Sequence, residues 1–231
     1  MKLKLLKIQP EAGNAKSFFF ETEKPLDFVA GQFLYVTLPK LDFPDSKGAT
    51  RHFTISSSPT EGNIIRVTTK IREESGYKKT LEALTEGAVL EGEGPEGTFT
   101  IDDNEKGEHV FIAGGIGITP FRSILKYVTD KNLSIPIHLI YSSSTTEEIV
   151  FKKELEDLDT KYPNIKIDFV VTSQAGHLDE NMIKNLVSPQ TLLTSTYWLC
   201  GPPLMVDAIE DVLQKLEILA GKVRIEKFTG Y

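Results

Sequence analysis

Up to about residue 100, apolar and polar positions alternate in short runs. Leu3–Ile8, Ser17–Glu21, Gln32–Leu38, Arg51–Ser57, Ile64–Ile71 and Ala88–Glu93 are rich in β-branched and aromatic residues and read as strands. Turn chemistry separates them, at Glu11-Ala12-Gly13-Asn14, Glu61-Gly62-Asn63 and Gly94-Pro95-Glu96-Gly97. Six short antiparallel strands at this spacing predict a closed β-barrel, with one helix near Tyr77–Leu84. Asp42–Ala49 reads as a surface loop.

The rhythm changes after about residue 107. Val110-Phe111-Ile112-Ala113 is apolar throughout, as a strand buried on both faces must be. Phe121, Ile124, Leu125 and Val128 then recur at helical spacing, with Thr119 as the expected cap and Pro120 at the first helical position. Ile135–Tyr141, Ile165–Val171, Thr196–Leu199 and Val223–Phe228 are further strands. The helices between them carry Phe151, Leu155 and Leu158, then begin at Asp179, then run from Pro203 with Val206, Ile209, Leu213 and Leu216 inward to a stop at Gly221. This alternation predicts an α/β unit with a five-stranded parallel sheet covered on both faces. The polar stretch Asp102–Gly107 marks the join, giving expected domains of 1–104 and 105–231.

Composition removes several classes of function. The chain has 231 residues and is 40 % hydrophobic, enough for two compact cores. Its formal charge of −7 argues against broad nucleic-acid binding. Cys200 is its one cysteine, so neither an internal disulfide nor a thiolate cluster can form. The four histidines show no metal-ligand spacing, and no metal is expected. No apolar run approaches the ~20 residues of a membrane span, and the N-terminus does not read as a signal peptide. The expectation is a reduced, cytoplasmic protein.

Candidate chemistry lies in three places. Gly114-Gly115-Ile116-Gly117-Ile118-Thr119-Pro120 joins the first strand of the second half to its first helix. Glycines there permit a tight turn and close ligand approach, and the helix N-terminus suits a pyrophosphate. Arg51-His52-Phe53-Thr54 sets a cation, aromatic rings and a hydroxyl along one strand, suited to a phosphate and a flat ring. Cys200-Gly201-Pro202-Pro203 follows the fourth strand of the second half. Each alone has an ordinary reading: a tight turn, a strand arginine in a surface ion pair, a small buried thiol.

Together and in this order, Arg-x-aromatic-Thr, Gly-Gly-x-Gly-x-Thr-Pro and Cys-Gly-Pro-Pro resemble the ferredoxin–NADP reductase superfamily. The resemblance runs from Gln32-Phe33 to Tyr231. It implies that Arg51 binds the flavin phosphate, that Phe53, beside His52, packs on the isoalloxazine, and that Thr54 bonds near flavin N5. Thr69 and Lys70 would border the ribityl chain. Ser75, Gly76, Tyr77 and Lys78 would cradle the phosphates, although Lys78 stands where a hydroxyl is usual. FAD is the expected flavin, with FMN as the alternative. Gly114, Gly115, Gly117 and Thr119 would hold the pyrophosphate of NADH or NADPH, with Ser142, Ser143, Gly201, Pro202 and Met205 around the same dinucleotide. Cys200 would approach the nicotinamide and Glu226 the hydride path. Phe228 or Tyr231 would cover the flavin ring.

The implied activity is hydride transfer between NAD(P)H and bound flavin, then electron delivery to a protein or small-molecule acceptor on a separate chain. A free-flavin or ferric reductase, and a non-catalytic electron-transfer or regulatory subunit, are the alternatives. The loop Tyr141–Glu148 has two acids and no basic residue, which favours NADH; Lys152 and Lys153 lie further along.

Overall fold

In the computed structural model, which describes residues 1–228, eleven strands form two sheets. The first holds β1 (Lys2–Pro10), β2 (Ala15–Thr22), β3 (Phe33–Thr37), β4 (Thr50–Thr54), β5 (Ile64–Lys70) and β6 (Val89–Glu96), in the order β4-β3-β6-β1-β2-β5. All its registers are antiparallel. The open edges meet beyond β4, where Ile55 bridges Val67 and Ser56 N–H donates to the Arg66 carbonyl at 2.7 Å. That contact closes the barrel and leaves no free edge between these strands. Alternate residues such as Leu3, Leu5, Phe18, Phe20, Leu34, Val36, Phe53 and Ile55 fill its interior. Helix α1 (Gly76–Glu82) packs Tyr77 and Leu81 into the same cluster, capped by the Ser75 hydroxyl accepting from Lys78 N–H.

The second sheet is parallel, in the order β11-β10-β7-β8-β9. Its strands are β7 (His109–Gly114), β8 (Ile137–Ser143), β9 (Ile165–Val171), β10 (Thr196–Gly201) and β11 (Val223–Lys227). Helices α2 (Ile118–Asp130) and α3 (Lys152–Lys161) cover one face, where Phe111, Ala113, Leu139, Tyr141 and Trp198 point. Helices α4 (Thr172–Ala175), α5 (Glu180–Leu186), α6 (Pro189–Thr194) and α7 (Pro203–Lys215) follow later strands. Residues of α5, α6 and α7 cover Val110, Ile112, Ile140 and Leu199 on the other face. Both faces are buried, which is why β7 reads as apolar throughout from Val110 to Ala113.

Some expected boundaries move. Thr119 is not the cap of α2. The chain turns into a short 3-10 segment at Gly115–Gly117, so Thr119 falls inside the first turn and its hydroxyl donates to the Ile116 carbonyl at 3.1 Å. Gly221 does not end α7. The helix stops at Lys215, with Glu217 in left-handed backbone, and Gly221 lies in a later 3-10 turn. Helices α4 and α6 had no clear signal because each is short: α4 buries no side chain and α6 only Leu192. Among the described residues no helix is long and apolar enough to cross a membrane.

Helix α2 joins the two sheets. Arg122 Nη1 donates to the Ser56 carbonyl at 2.9 Å and Ser123 Oγ to the Ser57 carbonyl at 2.7 Å. The Arg122 guanidinium also pairs with Glu61 of the barrel half and, at 2.6 Å, with Glu154 of α3. Phe99 follows the barrel and inserts its ring against Phe121 of α2 and Trp198 of β10, with centroids 5.6 and 5.0 Å away. Arg122→Ala therefore leaves two carboxylates and a carbonyl without their cation. Because those carboxylates are partly hydrated, the expected loss is about 2 kcal/mol, below the figure for a fully buried pair. Lys126→Ala, which removes a pair with Asp130 nearer to solvent, should cost under about 1 kcal/mol. Urea denaturation of the two variants measures the difference.

Candidate functional site

The barrel contributes one wall. Alternation along β4 turns Arg51 and Phe53 one way and His52 the other. Phe53 packs in the barrel cluster, its ring 6.0 Å from that of Tyr77, whose hydroxyl donates to the Val36 carbonyl at 2.9 Å. The Arg51 guanidinium lies over the Tyr77 ring at 5.1 Å and pairs with Asp45 at 2.5 Å. Arg51, Phe53, Ser75, Gly76 and Tyr77 are thereby brought together, with Lys78 close enough to feel the Arg51 charge. Burial, then the charges of Arg72 and Arg51, bring the Lys78 ammonium down to about 8.

The parallel sheet contributes the other wall. The turn after β7 lies against the turn after β10, and two glycines permit the contact. A Cβ on Gly117 would sit 2.2 Å from the Cys200 carbonyl oxygen, and one on Gly114 would strike Met205 Sδ at 2.0 Å. Gly201 lies against the Gly114 backbone, and Pro202 is beside it. Gly114, Gly117, Cys200, Gly201, Pro202 and Met205 thus converge for backbone reasons. Gly115 differs: its φ is +52°, and a side chain there would meet only Lys70 Nζ, at 4.0 Å. Lys70 belongs to the barrel and pairs with Glu148 in the loop after β8 at 2.7 Å. The turn of one half and the last strand residue of β5 therefore face each other. Ser142 pairs in register with Gly114, and Ser143 ends β8.

Hydrogen bonding marks the same ground. Thr54 Oγ1 and Ser143 Oγ are buried without a hydrogen-bond partner among the described residues. A buried hydroxyl left unbonded costs about 1–3 kcal/mol, so each suits a polar ligand atom. Thr69 is buried on β5. Cys200 is fully buried in the cluster on the α2 side, and that burial, then the nearby Glu226 carboxyl, pushes its thiol up. It is a protonated packing residue in this geometry. Glu226 pairs in register with Cys200 and lines a cleft of about 600 Å³ with Phe33, Tyr35, His52 and Arg224. Burial pushes the Glu226 carboxyl up to about 7 and pushes the His52 imidazole down. Phe228 N–H donates to the Gly201 carbonyl at 3.1 Å, tying the chain end to the glycine turns. Tyr231 lies outside the described residues. No cluster of three or more His, Cys, Asp or Glu able to hold a metal occurs among them.

Sequence reasoning missed Asp45, which it placed in a surface loop; the signal was one acid six residues before the strand arginine. It also missed Glu148 as the partner of Lys70 and Arg122 as the joint, because long-range pairing leaves no local pattern.

The fold and the two facing walls define an oxidoreductase built from a flavin unit and a dinucleotide unit. Residues 2–101 match the oxidoreductase FAD-binding domain and residues 111–211 the oxidoreductase NAD-binding domain. The chain belongs to the ferredoxin–NADP reductase superfamily. It is similar to a glycine betaine monooxygenase reductase subunit of Chromohalobacter salexigens, 26% identical over 223 residues, covering 92% of this chain and 60% of that protein. An NADH-cytochrome b5 reductase 1 of Dictyostelium discoideum is 30% identical over 184 residues, covering 74% of this chain and 62% of the relative. The crystal structure of the Amycolatopsis cytochrome P450 reductase GcoB shares the fold, with a TM-score of 0.84 at 20% identity over 100% of this chain and 70% of that one. The chain spans about 60% of the length of the first curated relatives it matches.

Two outcomes test this geometry. Gly117→Ala must force the turns after β7 and β10 apart, costing about 1–3 kcal/mol and weakening dinucleotide binding. Gly221→Ala, with nothing within 4 Å of its Cβ, should stay within about 0.5 kcal/mol of the parent. Thermal melts and dinucleotide titration read both. Glu226 binds a proton more tightly folded than unfolded, so its contribution to stability falls as pH rises from about 4.5 to about 7. Glu226→Gln should therefore be more stable than the parent at pH 8 and lose that advantage below about pH 4.5, in denaturant titrations at the two pH values.

Proposed function

We propose that the chain is a flavoprotein oxidoreductase that moves hydride between a nicotinamide dinucleotide and FAD and delivers electrons to an acceptor on another chain. The observation that supports it is the junction at Gly115 and Lys70, where the glycine turn of the sheet faces the barrel strand assigned to the flavin. The proposed units are 1–104 and 105–231, joined through Asp102–Gly107.

A bound flavin would supply the hydride-accepting and electron-releasing chemistry. Arg51, Ser75, Gly76, Tyr77 and Lys78 would hold its phosphates, and Thr69 and Lys70 its ribityl chain. His52 lines the cleft that Glu226 also lines and would form the wall of the ring site, whereas Phe53, expected to pack on the ring, is buried in the barrel interior on the opposite side of the strand and backs that wall. The unbonded Thr54 hydroxyl is the group able to bond a ring atom without breaking another contact. Gly114, Gly115, Gly117 and Thr119 would form the pyrophosphate turn, with Ser142 and Ser143 at the end of β8 and Gly201, Pro202 and Met205 opposite. Cys200 fixes the carbonyl that Gly117 abuts, and is a positioning residue. Glu226, titrating near neutrality at the cleft, can hold or release a proton there. Phe228 or Tyr231 would cover the ring.

NADH is the proposed coenzyme. Glu147 and Glu148 occupy the loop that would meet a 2′-phosphate, and Glu148 already pairs with Lys70. Lys152 and Lys153 are engaged along α3 with Glu156 and Asp157. A like-charged loop repels the extra phosphate.

The purified protein should be yellow with near-stoichiometric FAD. Anaerobic NADH should bleach the flavin band, with a Michaelis constant roughly tenfold or more below that for NADPH. A protein that, once loaded with FAD, is bleached by neither coenzyme defeats the reading. Equal constants for the two defeat the coenzyme assignment alone.

A further inference from the structure

The loop Asp42–Ala49 is exposed over most of its length, yet Asp45 turns inward. Its carboxylate is four-fold bonded. One oxygen accepts from Arg51 Nη2 at 2.5 Å and from Lys47 N–H at 2.9 Å. The other accepts from Tyr77 N–H at 2.9 Å and from Ser75 Oγ at 3.1 Å. The side chains of Asp45 and Arg51 are only 6% and 9% exposed. The loop backbone is seated as closely, since a Cβ on Gly76 would lie 2.1 Å from the Pro44 carbonyl oxygen. Arg51 Nη1 lies within hydrogen-bond distance of the loop carbonyls of Lys47 and Gly48 and of the Thr50 carbonyl at the start of β4. An arginine, a serine hydroxyl and a backbone N–H converging on one anion form a phosphate-binding donor set.

These donors are the ones the flavin reading gives to a flavin phosphate, and Asp45 holds them. The electrostatics favour more negative charge than one carboxylate carries. Lys78 feels the positive charges of Arg72, Arg51 and Lys47, with Glu74 the opposing acid.

We propose that Asp45 is an internal stand-in for the flavin phosphate, so that the two anions compete for Arg51, Ser75 and Tyr77, and the Asp42–Ala49 loop is displaced when the phosphate takes them. The inference rests on the flavoprotein reading. A tethered competitor reduces the apparent affinity of the phosphate to the intrinsic affinity multiplied by the fraction of molecules in which the donors are free of it. Its cost falls only on flavins that bear a phosphate. Riboflavin, which has none, leaves the Asp45 contacts in place.

The test is flavin binding by the full chain after flavin removal, read by quenching of flavin fluorescence. In Asp45→Asn, FAD and FMN should bind about tenfold tighter, with riboflavin within about twofold of the parent. Equal weakening of all three, or no change in any, overturns the proposal. Trypsin cleavage after Lys47 in the unaltered chain provides a measurement that needs no variant. FAD should accelerate it and riboflavin should not; protection by FAD overturns the displacement. Failure of parent and variant alike to bind any flavin overturns the flavoprotein reading, and this inference with it.

Discussion

Helix α2 is anchored on two sheets at once. Its apolar stripe, Phe121, Ile124, Leu125 and Val128, is buried with residues of the parallel sheet. Its Arg122 and Ser123 reach out of that sheet to the carbonyls of Ser56 and Ser57, where the barrel closes. The helix begins at the glycine turn and touches the barrel one turn later. The turn is therefore held at a fixed offset from β4 and β5. Chemistry between two bound rings depends on such an offset, because reacting atoms must be held about 3–3.5 Å apart. A single bidentate guanidinium shared between Glu61 and Glu154 fixes more orientation than several mobile lysines would.

The polar groups divide into two kinds. One kind is saturated, as at Arg66 of the joint, which bonds Ser17, pairs with Glu11 and lies 4.4 Å over the Phe151 ring. Those on the facing walls are not, as Thr54 Oγ1 and Ser143 Oγ have no partner among the described residues. Saturated buried networks give rigidity, and unsatisfied ones give a ligand something to bind. Asp45 is the exception that joins the two kinds, since it saturates donors on the wall itself.

Cysteine and glutamate illustrate how environment assigns roles. Cys200 and Glu226 sit opposite each other on adjacent parallel strands. Complete burial holds the thiol protonated, while partial burial leaves the carboxyl titrating near neutrality. Of the two, the carboxyl is the one that titrates near neutrality, although the thiol lies in the more conspicuous sequence motif.

The order of elements was written in the sequence. Alternating apolar residues in the first half and unbroken apolar runs in the second specify a barrel and a doubly covered sheet, because burial on one face or two dictates those patterns. The glycine turn was equally legible, since only glycine fits where Cys200 and Met205 come so close. The cap of α2 was misplaced because a 3-10 turn of the same glycines begins the helical path earlier. Pairings across long loops were not legible at all. Arg122 with Glu61 and Lys70 with Glu148 are charges that in sequence resemble any surface charge. Local pattern fixes which residues turn inward; only the folded chain decides which distant charge each one meets.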